Sequence, residues 1–181
     1  MKNRKAGHRK SRGALSFSIY IFAIILFAVL IRSFVIERVV VVGESMEPTL
    51  DDGDNVLIDK LSYRMGDIER YDIVVFPVDG IFLIKRVYGL PGENIRIDET
   101  GLIYINGEVI DDKHAREIMT DAGRAGGLGV TLAEDEYFVL GDNRNNSIDS
   151  RALEVGSVRN KNIRGKVLIR LTPLNKFGKV K

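Results

Sequence analysis

The chain has 181 residues, Lys+Arg 27 against Asp+Glu 25, two histidines and no cysteine. That length suits one domain of ordinary size with an appendage. The absence of Cys excludes a disulfide framework, a cysteine zinc site and a thiol nucleophile, while His8 and His114 alone argue against a histidine metal centre. The formal charge of +2 is a remainder. Residues 1–36 hold seven Lys/Arg and no acid, residues 37–154 hold twelve against twenty-five, and residues 155–181 hold eight and no acid. With Cys absent and His scarce no metal is expected, and the acidic middle block suggests no nucleic-acid partner.

Residues 1–14 read as a basic cytoplasmic tail carrying Lys2, Arg4, Lys5, Arg9, Lys10 and Arg12. Leu15 to Ile31 then runs without a charge. Continued to Ile36, with Arg32 its one charge, the segment 15–36 predicts a helix of roughly 33 Å, enough for a hydrocarbon core of about 30 Å. A cleavable secretory signal would be shorter and would end at a small-x-small site. The cations on the N-terminal side place that end in the cytoplasm. Residues 37–181 are then extracytoplasmic, in a single-pass type II cell-membrane protein in contact with lipid.

Beyond the anchor the pattern turns to short β-branched runs, and these predict a mainly β, all-β outer domain over 37–181. Strands are expected at Arg38–Val42, Asn55–Lys60, Asp72–Phe76, Phe82–Tyr88, Tyr137–Leu140 and Ile163–Leu171. Leu102–Ile110 predicts a hairpin turning at Asn106-Gly107, where both positions need φ > 0. Residues 111–136 form an irregular insert. A short helix is expected at Asp112–Asp121 and a mobile loop around Gly123, Gly126, Gly127 and Gly129.

Three places carry unusual chemistry. Gly43 to Leu50 follows a hydrophobic run, and Gly43 and Pro48 around Ser45 describe a sharp turn that exposes a hydroxyl and converging N–H groups, as an oxyanion site requires. The same residues also suit an ordinary turn with a capping serine. Lys85 shares a strand face with Leu83 and Val87. Desolvation there lowers an amine pKa toward that of a general base, although a snorkelling lysine fits equally well. Arg86 faces the other way and cannot act as a base. Gly141 to Arg151 has one apolar side chain in eleven residues, which suits either a solvated loop or a polar network that orients a catalytic group.

These segments, Ser45-Met46-Glu47-Pro48-Thr49-Leu50, Tyr71 to Phe76, Ile84 to Glu93 and Gly141 to Arg151, together resemble type I signal peptidases. Those are membrane-anchored Ser-Lys endopeptidases that remove signal peptides from exported preproteins. The resemblance implies a signal-peptidase-type all-β fold, shared with repressor-type Ser-Lys peptidases. It also implies Ser45 as nucleophile and Lys85 as general base, with no cofactor. Ser147 would hydrogen-bond and orient the lysine amine, and Asp149 and Arg151 would pair beside it. The oxyanion would rest on the Ser45 backbone N–H. Met46, Leu50, Leu83 and Ile84 match positions lining pockets for small side chains, hence cleavage after Ala-x-Ala. Gly43 replaces a serine of some members, Asn145 an Asp of many, and Tyr88 and Glu93 commoner residues. These last three are expected to matter little. One span and a short insert look like the compact Gram-positive form. The main alternative is an inactive, membrane-tethered peptide-binding relative; a hydrolase built on His114 is a further one.

Overall fold

The computed structural model describes residues 7–61 and 68–180, with side chains described for 15–29 and from 35 onward within that range. The chain divides into two units, Met1–Ile36 and Glu37–Lys181. The first is a helix, α1 (Gly7–Phe34). Its described side chains, residues 15–29, are all exposed and almost all apolar, Leu15, Phe17, Ile19 and Phe22 among them. That stretch spans roughly 22 Å at 1.5 Å per residue. Among the described residues no helix is long and apolar enough to cross a membrane. Of the expected basic tail, residues 1–6 lie outside the described residues and 7–14 belong to α1.

The second unit is mainly β. Its strands are β1 (Ile36–Val40, which begins at the junction), β2 (Asn55–Asp59), β3 (Ile73–Val78), β4 (Ile81–Gly89), β5 (Asn94–Ile97), β6 (Ile103–Ile105), β7 (Glu108–Val109), β8 (Val130–Thr131), β9 (Glu136–Leu140), β10 (Val158–Arg159), β11 (Gly165–Thr172) and β12 (Gly178–Lys179). One sheet runs β1-β2-β11-β3-β4-β9-β10 with β12 beside β11, and a smaller one runs β7-β6-β5-β8. Alternation along β3 feeds both faces of the larger sheet. Ile73 and Val75 pack with Met46, Leu50, Val56 and Ile58, whereas Val74 and Phe76 pack with Val87, Tyr137 and Val139. A strand covered on both sides needs a continuous apolar run, which is what Ile73–Phe76 supplies. A third core under the smaller sheet joins Ile95, Ile97, Ile103 and Ile105 to Tyr88, Phe138 and Leu140.

The β6–β7 turn has φ of +52° at Asn106 and +88° at Gly107, as its sequence requires. Residues 112–121 differ from expectation and contain no helix. Their backbone groups bond to the loop after β9 instead of to one another. Arg116 N–H donates to the Asp142 carbonyl (2.8 Å), and Arg151 donates to the Asp121 carbonyl (3.0 Å). Three residues, Gly123–Ala125, form a 3-10 turn with Ala125 fully buried.

The charge blocks of the sequence interleave in space. Arg164 pairs with Glu37 (2.7 Å), Lys166 with Asp72 (2.5 Å), Arg170 with Asp54 (3.1 Å) and Lys176 with Asp51. The C-terminal cations therefore meet the acids of the middle block, because β11 lies between β2 and β3.

Candidate active site

Register explains how distant segments converge. In the β3–β4 pair Val74 stands opposite Lys85, and in the β4–β9 pair Arg86 stands opposite Leu140. Gly141, the next residue, therefore opens its loop beside Lys85. The turn after β1 approaches from the other side, with Gly43 at φ +90° and its N–H on Asp52 (2.7 Å). Asn143 ties the two loops together. Its backbone N–H donates to the Ser45 carbonyl (3.1 Å) and its side-chain amide to the Glu44 carbonyl (3.1 Å). A side chain at Gly141 would collide with Ser147 Oγ at 2.2 Å and the Ser45 carbonyl at 2.6 Å, so only glycine fits this crossing.

Lys85 is 2% exposed, and its Nζ lies 2.6 Å from Ser45 Oγ, to which it donates. Burial pulls the amine down to about 8, against the pull of the Asp149 and Asp142 carboxylates. About a tenth of the amine is therefore free at pH 7, far more than for an ordinary lysine, and its lone pair would accept the Ser45 proton. Among the described residues the Ser45 N–H has no acceptor, so it is available to an oxyanion.

Asp149 is the hub of the supporting loop. Its carboxylate accepts from the Gly141 N–H (3.0 Å), Ser147 Oγ (2.8 Å) and Arg151 Nε (2.8 Å) and Nη2 (2.9 Å). Ser147 was expected to bond the lysine. Its hydroxyl proton goes to Asp149 instead, since a carboxylate is the stronger acceptor. The Ser147 oxygen nevertheless sits against Gly141, as does the Ser45 carbonyl.

A cleft of about 470 Å³ opens over Ser45 and Lys85. Its walls are two extended segments, Val39–Val42 and Gly80–Ile84, and its floor includes Met46. Of the residues matched to pocket positions, Met46, Leu83 and Ile84 line this cleft. Leu50 does not. It is fully buried in the core behind Met46, packed with Val56 and Ile58.

Several residues near the site have partners that the sequence reading did not anticipate, among them Tyr88 and Glu93, which were expected to matter little. Arg86 and Asp142 are both fully buried and paired at two points (2.9 and 2.7 Å), with Thr49 Oγ1 donating to Asp142 (2.6 Å). Arg86 also donates to the Tyr71 carbonyl (3.0 Å). The opposite face assigned to it is thus a buried seam between loops. Tyr88 donates its hydroxyl to Asp112 (2.6 Å) and accepts from Arg144 (2.7 Å). Burial drives that phenol upward, so it stays protonated. Glu93 accepts from the Leu90 N–H (2.8 Å) and pairs with Arg70 (2.6 Å). His114 packs its ring on Tyr71, with centroids 5.1 Å apart, and the group bonded to Ser45 Oγ is Lys85.

A family model described as signal peptidase, peptidase S26, matches residues 14–172. The chain belongs to that family. It is 39% identical over 156 residues to a probable signal peptidase I-2 of Synechocystis, covering 81% of this chain and 68% of the relative. It is 34% identical to a signal peptidase I of Bacillus amyloliquefaciens, covering 100% of both chains. A crystal structure of a signal peptidase I from Enterococcus faecalis V583 matches 56% of this chain and 97% of its own, at 31% identity and a TM-score of 0.46.

Proposed function

We propose that this chain is a membrane-bound serine endopeptidase that cleaves signal peptides from exported preproteins after small residues of the Ala-x-Ala type. The observation that carries this reading is the 2.6 Å contact between a buried Lys85 amine and Ser45 Oγ, at one end of an apolar cleft. The free amine takes the Ser45 proton as Oγ attacks the scissile carbonyl carbon. Negative charge developing on the carbonyl oxygen meets the Ser45 N–H. On collapse the C–N bond breaks, and the Lys85 ammonium returns its proton to the leaving amine. Water, deprotonated in turn by Lys85, then hydrolyses the acyl-Ser45 ester and frees the signal peptide.

Two extended walls suit a substrate bound as an added strand, read through its backbone and therefore tolerant of sequence. Bulky Met46 and Ile84 at the base leave room for small side chains. The charge-free run Leu15–Ile31 with cations before it supports an anchor whose N-terminus is cytoplasmic. Ser45 follows nine residues after Ile36, close to where a membrane-held signal peptide would emerge.

Mass spectrometry of products from a preprotein whose signal ends in Ala-x-Ala tests this reading. Cleavage directly after the second Ala, lost in Ser45→Ala, is expected. Uncleaved preprotein, or cleavage that persists in Ser45→Ala, would overturn it.

A further inference from the structure

We propose that residues 112–124 form a strap that positions the catalytic loop 141–151, latched by the carboxamide of Asn145. The proposal rests on the reading above, in which that loop holds Ser147 and Asp149 beside the Ser-Lys pair.

The strap is fixed at both ends and along its length. At one end the Asp112 carboxylate accepts from Tyr88 Oη (2.6 Å) and Arg144 Nη2 (2.8 Å), and Arg144, itself buried, donates through Nε to the Gly141 carbonyl (2.9 Å). At the other end Arg124 N–H donates to the Arg151 carbonyl (3.0 Å), and Gly123 lies so close to Arg151 that a Cβ there would meet its carbonyl oxygen at 2.4 Å. Between them Met119 is buried in the core with Tyr88 and Ala125. Arg116 reaches across to Glu47 (2.6 Å), two residues after Ser45.

Asn145 is the link at the centre. Its Oδ1 accepts from the Thr120 N–H (3.0 Å) and Oγ1 (2.9 Å), its Nδ2 donates to the Ile118 carbonyl (3.0 Å), and its own N–H donates to Glu117 Oε1 (2.9 Å). Only a side chain that both donates and accepts satisfies the first three bonds. Aspartate has the same shape and no donor. It would set a carboxylate against the Ile118 carbonyl and close to the Glu117 carboxylate, so strap and loop would part. Asn145 lies in the three-residue 3-10 turn Arg144–Asn146, which leads directly into Ser147. A shift there displaces Ser147 and, through it, Asp149 and Arg151. Asn145 touches no reacting atom and is a positioning residue.

The test is steady-state cleavage of a preprotein by the detergent-solubilised full chain. Contrary to the expectation that an Asp at this position matters little, Asn145→Asp should here lower kcat by about tenfold while KM changes less than about twofold. The carboxamide bonds to Thr120 and Ile118 are specific to this strap, and the cleft is untouched. Glu117→Gln added to Asn145→Asp should recover at least about threefold of that loss, because a carboxamide at 117 can still accept the 145 N–H and no longer repels the new charge. A merely structural role would not give this rescue. Wild-type kcat in Asn145→Asp, or no recovery in the double variant, would overturn the strap. Thr120→Val carries the same test if Asn145→Asp fails to fold: a lowered kcat at unchanged KM supports the proposal and wild-type kcat overturns it. Ser45→Ala run in parallel separates the two readings, because activity surviving there would count against the catalytic assignment itself.

Discussion

Arg86 and Asp142, fifty-six residues apart, form a two-point ion pair with neither residue exposed to solvent. The pair joins β4 to the loop after β9, and Thr49 adds the loop that carries Ser45. One buried seam thereby fixes the relative positions of Ser45, Lys85 and the loop 141–151.

Removing one member of that seam leaves the other charged and buried. Asp142→Asn or Arg86→Met should each cost about 3–5 kcal/mol of stability, and the double variant Arg86→Met/Asp142→Leu less than the sum of the singles. Urea unfolding of the singles and the double is the check, and strict additivity would contradict the coupling.

Gly141 is placed where no side chain fits. Gly141→Ala should force Ser147 and the Ser45 carbonyl apart and lower kcat by at least about a hundredfold, at a stability cost of about 1–3 kcal/mol from overpacking. Comparing kcat with the urea midpoint separates these effects. Activity within a few-fold of the parent would contradict the close approach.

Tyr71 has φ +72°, a region that costs a non-glycine residue about 1–2 kcal/mol. That conformation aims its carbonyl at Arg86, and its ring packs edge-on against Tyr88 at 5.4 Å. Both Tyr71→Ala and Tyr71→Gly lose the ring, but only glycine sheds the strain. The glycine variant should be the more stable by about 1 kcal/mol, the reverse of the order at an ordinary position. Thermal unfolding of the two proteins decides it.

The depressed lysine also bears on stability. With its folded value near 8 and an ordinary value of 10.5, the unfolded chain binds more protons between those limits, so this group's contribution rises with pH from about 8 to 10.5 and is least favourable below 8. Lys85→Met should therefore stabilise the protein at pH 7, by about 1–3 kcal/mol, while abolishing cleavage. A lower Tm in this variant would contradict a costly buried amine.

Much of the fold was legible because the relevant signals are local. Asn106-Gly107 dictates its turn, and Ile73–Phe76 needs cover on both faces. The short strands β5, β8, β10 and β12 were not legible, since two to four residues carry no periodicity and their pairing comes from neighbours. Ser45 and Lys85 could be singled out by a turn, a strand face and a resemblance. Arg86, Asp142, Tyr88 and Asn145 could not, because their roles depend on which loops cross them. The helix expected at 112–121 failed for the same reason: its carbonyl and N–H groups find partners across the chain before they find each other. Charge read by position also set a basic C-terminal block apart from an acidic middle one. In space Arg164, Lys166, Arg170 and Lys176 lie against acids of the middle block.

The central claim is that the free amine of Lys85 activates Ser45, and the pH dependence of preprotein cleavage tests it most directly. kcat/KM measured from pH 5 to 10 should rise with a midpoint near 8, as the buried ammonium loses its proton. Lys85→Ala should show no cleavage at any of these values. A flat profile across that range, or full activity in Lys85→Ala, would contradict the account.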